Sequence, residues 1–67
     1  LGQVDREIMS LIGKGMTDRD IATRVFLSPQ TVRNRVSRLL TTLGRENRTQ
    51  LALMVNDYDD VGHRFTK

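Results

Sequence analysis

"SPQTVRNRVSRLL" (residues 28–40) interleaves valine and leucine with arginine and asparagine at a spacing that fits a helix. At about 100° per residue, Val32, Val36, Leu39, Leu40 and, just beyond, Leu43 share one sector about 100° wide. Gln30, Arg33, Asn34, Ser37 and Thr41 lie opposite, and Thr31, Arg35, Arg38 and Thr42 run along one flank between the two. The segment therefore has an apolar stripe, a polar crest and a basic shoulder. Either the crest is only the hydrated side of a surface helix, or it faces something negatively charged.

The punctuation around this segment sets its limits. Ser28 followed by Pro29 is an N-cap with proline at the first helical position. Gly44 suits the residue just past a C-terminus, so a helix is expected over 29–43. Upstream, Thr17 caps a short helix over 18–24: Asp20 completes a capping box, and Asp18 suits the positive helix end. This helix should bury Ile21, Ala22 and Val25, and Phe26 and Leu27 form an apolar turn. Val4, Ile8, Leu11 and Ile12 recur at helical spacing over 3–14, with Gly2 as a weak N-cap and Gly13 and Gly15 where the pattern stops. Asn47 with Gln50 opens a fourth helix ending near Tyr58. "DDVGHRFTK" (59–67) lacks periodicity and is expected to be a flexible C-terminal tail. The chain reads as all-α. Its second and third helices, joined by a tight apolar turn, make a helix-turn-helix unit.

Composition narrows the function. Sixty-seven residues, 37% of them hydrophobic, suffice for one small domain with a modest core and no large catalytic cavity. The absence of cysteine excludes disulfides and thiolate metal sites and is compatible with a reducing cytoplasm. No apolar run reaches the roughly 20 residues of a membrane helix, and no signal peptide opens the chain. Because it begins at Leu1, the chain is expected to be a piece of a longer protein with domains upstream.

The net charge of +3 is unevenly spread. Arg33, Arg35, Arg38, Arg45 and Arg48 cluster against only Glu46, whereas Asp5, Glu7, Asp18, Asp20, Asp57, Asp59 and Asp60 lie outside that block. Such a block suggests a surface for a polyanion. The crest also lacks the Glu–Lys pairs that commonly support hydrated helix faces. Its cation is arginine, which can hold phosphate or a guanine edge through two parallel hydrogen bonds, and Asn34 beside it can pair bidentately with adenine.

Together, "DREIMSLIGKGMTDRDIATRVFLSPQTVRNRVSRLLTTLG" and the following "NRTQLA" resemble the LuxR-type helix-turn-helix domain. This domain, also called the GerE or NarL/FixJ type, lies at the C-terminus of many bacterial transcription regulators. The shared features are the acidic–basic–acidic first helix, "IA", "LS..TV" and "LG..NRTQ", without a gap. The resemblance covers residues 1–58 and implies a compact four-helix domain with its third helix in the major groove of double-stranded DNA. It gives Gln30, Arg33, Asn34 and Ser37 as base-reading residues. Thr17, Arg19, Thr31, Arg35, Arg38 and Arg48 become phosphate contacts, helped by exposed N–H groups at the helix starts. It further implies a homodimer on DNA, an upstream receiver or ligand-binding domain, RNA polymerase as a further partner, a cytoplasmic location, and neither cofactor nor metal. Four positions depart from the family. Gly2 and Gln3 replace its usual Thr/Ser-Pro opening, at about 1 kcal/mol or less. Leu51 stands where alanine is common, and Arg35 where histidine or tyrosine is.

On the fourth helix, Leu51, Met54, Val55 and Tyr58 should seal the core, while Thr49, Leu53 and Asn56 on the other side are candidates for the dimer contact. A lone exposed leucine is also ordinary. The promoter-recognition domain of a sigma factor is an alternative, since "T.R.R..R" recurs there, but "LG..NRTQ" favours the LuxR type. A helical module whose arginines meet an acidic protein is the other. Catalysis has no support: Ser28 serves as a cap, and no histidine or carboxylate pair has a catalytic spacing. His63 and the Asp59–Asp60 pair read as solvated tail, and Met9, Met16 and Met54 as gap-fillers or surface residues.

Overall fold

The computed structural model describes the backbone of residues 2–65 and the side chains of residues 2–58. It has the helices α1 (Gln3–Gly13), α2 (Asp18–Val25), α3 (Pro29–Leu43) and α4 (Arg48–Phe65), and no strand among the described residues. The N-caps form where the sequence puts them. Thr17 Oγ1 accepts from the Asp20 amide at 3.2 Å, Ser28 Oγ from that of Thr31 at 3.1 Å, and Asn47 Oδ1 from that of Gln50 at 2.9 Å. Each satisfies an amide that lacks an intrahelical partner. Gly2 makes no side-chain cap, as a glycine must.

α1, α2 and α3 end alike. The chain turns left-handed at Gly15, Phe26 and Gly44 (φ 81°, 60° and 66°). The next amide then bonds back across the last turn: Met16 to Leu11 O, Leu27 to Ala22 O, and Arg45 to Leu40 O. This is the Schellman termination, which favours glycine because a Cβ is strained there. Phe26 is the exception, and at 92% exposed it recovers little of the strain through packing.

The core draws on all four helices: Ile8, Leu11 and Ile12; Ile21 and Ala22; Val32, Val36 and Leu39; Leu51 and Val55. Each fully buried side chain among them, such as Ile8, Ile21 or Val32, contributes about 1.5–3 kcal/mol. Leu51 is one of these. Val25, Leu27, Leu40 and Leu43 line the edge of the core as half-buried groups. α1 packs mainly on α4 and α2 mainly on α3. Gly13 permits the first contact, because a Cβ there would lie 2.9 Å from Val55 Cγ1 and 3.1 Å from Asn56 Oδ1.

Two expectations for α4 need correction. The helix does not stop near Tyr58 but continues to Phe65, so residues 59–65 are helical and not an irregular tail. No proline interrupts this stretch, and Gly62 costs a helix only about 1 kcal/mol. Tyr58, expected in the core, is 79% exposed. By that point α4 has outrun α1, whose last residue already faces Val55 and Asn56. The side chains of His63, Asp59 and Asp60 lie outside the described residues.

Gly13→Ala should destabilise the domain by about 1 kcal/mol through crowding of Val55, despite alanine's better helix propensity. Phe26→Gly should stabilise it by about 0.5–1 kcal/mol by relieving the left-handed strain. Urea unfolding followed by circular dichroism measures both. Signs opposite to these would refute the packing account at Gly13 and the strain account at Phe26 respectively.

Candidate nucleic-acid interface

The burial of Val32, Val36 and Leu39 turns the opposite side of α3 to solvent. Gln30, Arg33, Asn34, Ser37 and Arg38 are all exposed. The crest is internally linked: Gln30 Nε2 donates to Asn34 Oδ1 at 3.1 Å, and Arg33 Nη1 to Gln30 Oε1 at 3.3 Å. The Ser37 hydroxyl has no hydrogen-bond partner among the described residues, and its carbonyl accepts from Thr41 Oγ1. The Arg33 side chain stays 62% exposed although Asp18 Oδ2 approaches its Nε to 3.6 Å. Arg38 has no ion pair among the described residues.

The flank and the helix starts differ from the crest. Arg35 is half-buried and donates to Asp5 Oδ1 of α1 at 3.0 Å. Thr31 is half-buried, and its hydroxyl shares a 2.8 Å hydrogen bond with Ser28. Thr17 and Arg19 are exposed at the start of α2. Arg48, at the start of α4, donates to Asp18 Oδ1 and, at 2.7 Å, to the Met16 carbonyl. It thereby ties α4 to the loop before α2. Thr49, Asn56 and Leu53 (58% exposed) are exposed on α4, with Asn56 Oδ1 at the edge of the contact with Gly13 of α1.

Sequence reasoning missed the role of two acids. Asp18 was expected only to complement a helix end, and Asp5 had no assigned partner. Each binds an arginine 30 positions away, a separation that no local periodicity reports. No group of side chains suited to a metal ion occurs among the described residues. None of their helices is long and apolar enough to cross a membrane.

The arrangement of four helices, with an exposed polar crest on the third, coincides with a family match over residues 1–55 to bacterial regulatory proteins of the luxR family. The chain belongs to this family. Similar proteins come from Mycobacterium tuberculosis and Bacillus subtilis. The chain is 45% identical over 53 residues to the DNA-binding transcriptional activator DevR/DosR of Mycobacterium tuberculosis, covering 79% of this chain and 24% of that protein. It is 35% identical over 51 residues to the putative HTH-type transcriptional regulator Rv0890c of the same organism, covering 76% of this chain and 6% of that protein. It is also 37% identical over 46 residues to the spore germination protein GerE of Bacillus subtilis, covering 69% of this chain and 62% of that protein. The chain thus spans only a small part of the two mycobacterial relatives.

If the Arg48 clamp joins α4 to the loop before α2, Arg48→Ala should lower stability by about 1–3 kcal/mol, since it removes the charged donor that Asp18 Oδ1 and the Met16 carbonyl share. Thermal unfolding measures this. A midpoint equal to that of the parent would show that the clamp has no structural role.

Proposed function

We propose that this domain binds double-stranded DNA sequence-specifically, as the output unit of a bacterial transcription regulator of the response-regulator or LuxR type. α3 enters the major groove, which is wide enough for a helix. Gln30, Arg33, Asn34 and Ser37 read base edges: arginine suits guanine and asparagine or glutamine suits adenine. Thr17, Arg19, Thr31, Arg35, Arg38 and Arg48 hold phosphates on either side. Arg38 and Arg19, which have no ion pair among the described residues, do so directly. Arg35 and Arg48 already serve a carboxylate, but a guanidinium carries five N–H donors, so each retains donors for a phosphate. The observation that supports the reading is the exposure of the whole α3 crest while the stripe behind it is buried.

Two such domains pair through the outer side of α4, with Leu53 between Thr49 and Asn56, and so address paired half-sites whose spacing the dimer sets. The rest of the regulator, an upstream receiver or ligand-binding domain, supplies the signal. The assembly works in the cytoplasm and communicates with RNA polymerase.

Affinity for a duplex selected from a randomised pool and for its shuffled counterpart, titrated at several salt concentrations, tests this. DNA binding gives a steep negative log–log salt slope, whereas a module for acidic proteins gives no preference between the two duplexes. Arg33→Ala should cost about 1–3 kcal/mol on the selected duplex and narrow the gap, while Arg35→Ala weakens both duplexes similarly. Equal losses for Arg33→Ala would remove it from the base-reading set. Leu53→Asp should leave the monomer folded and abolish cooperative filling of paired half-sites. Cooperativity equal to the parent's would place the dimer contact elsewhere.

A further inference from the structure

We infer that Asp18, on α2, is a positioning residue that biases Arg33 of α3 toward bases and away from phosphates. The inference rests on the proposed reading of DNA by the α3 crest and names a residue outside the set given to that task.

Asp18 opens α2 just after the Thr17 cap, and the helix is held in the core by Ile21 and Ala22. Its carboxylate meets arginines from two other helices. Oδ1 accepts from Arg48 Nη1, and Arg48 Nη2 is in turn tied to the Met16 carbonyl at 2.7 Å. Oδ2 faces Arg33 Nε at 3.6 Å. The Asp18 side chain is only 21% exposed, so one oxygen is fixed by the fold and the other is presented to the exposed crest at a set place.

The chemistry of the guanidinium gives this contact its consequence. Arg33 directs Nε at Asp18 and one Nη1 hydrogen at Gln30, so the second Nη1 hydrogen and those of Nη2 remain to form an outer N–H edge. A guanine edge takes two parallel N–H bonds from that outer edge. An arginine without such an anchor has many rotamers and loses that freedom on binding; one already held loses less. The anchor also limits reach. A free Arg33 could swing to a phosphate, which carries no sequence information. The negative charge of Asp18 disfavours a phosphate in its own neighbourhood and favours the arginine that stays beside it. Asp18 therefore lowers binding to arbitrary DNA and raises discrimination, an effect opposite in sign to that of a phosphate contact.

The experiment compares the 67-residue chain with its Asp18→Asn variant on the selected and shuffled duplexes. Asparagine keeps an acceptor for Arg48 and removes the charge. The ratio of the two affinities should fall about three- to fivefold, the scale of an exposed ion pair, with binding to the shuffled duplex unchanged or stronger. In an Arg33→Ala background the same substitution should leave the ratio unmoved. A purely structural role would weaken both duplexes by one factor, and a role through Arg48 would narrow the ratio equally in both backgrounds. Either result overturns the inference. Should the variant fold poorly, exchange of the Arg33 Nε–H proton in the unmutated domain decides. It should be slower than that of Arg38, and equal rates overturn the pairing. A parent chain with no preference for the selected duplex refutes the reading of DNA, whereas a preference that Asp18→Asn leaves intact refutes only the role of Asp18.

Discussion

The roll of α3 about its own axis is fixed by Val32, Val36 and Leu39, and the placement of every proposed contact follows from it. Val32 has no exposed surface and sits between the helices that flank it. A slip of one residue would turn the helix by about 100°, moving at least one arginine into the core and a valine into water. Burying a charge without a partner costs several kcal/mol, so the alternative rolls are excluded by desolvation. Gln30, Arg33, Asn34 and Ser37 are outward because their neighbours on the opposite side have to be inward.

A fixed roll needs a fixed axis, and the helix ends provide it. Ser28 and Pro29 start α3 immediately after the left-handed turn at Phe26, so α2 and α3 are joined with little slack. Gly44 closes α3 in the same way and leads into the Asn47 cap of α4. The Glu46 amide adds a bond to Gln50 Oε1 at 2.9 Å, which tightens that entry. Arg48 then fastens the start of α4 to Asp18 and the Met16 carbonyl. Thus the starts of α2 and α4 are linked to each other, and both lie beside the crest through the contact between Asp18 and Arg33.

Much of this was legible in the sequence because it is local. Caps act over three residues, apolar stripes repeat over four, and Gly44 marks an end by its own conformational freedom. The polar crest could be read for the same reason. What escaped was non-local or depended on the extent of packing. The Asp5–Arg35 and Asp18–Arg48 pairs each join residues 30 apart, and their partners are decided only when α1 meets α3 and α4 meets the start of α2. Tyr58 shares a helical side with Leu51 and Val55, yet there is no helix left for it to pack on. The continuation of α4 to Phe65 was missed because the absence of an apolar stripe shows that a segment is not buried, not that it leaves the helix.

The central claim is that the α3 crest touches bases and is not merely hydrated. Intermolecular nuclear Overhauser effects between the labelled domain and a selected duplex test it most directly. The account predicts contacts from the side-chain amides of Gln30 and Asn34 to base protons in the major groove. Contacts confined to sugar protons, or arising from α1 and α4 with none from α3, would contradict it.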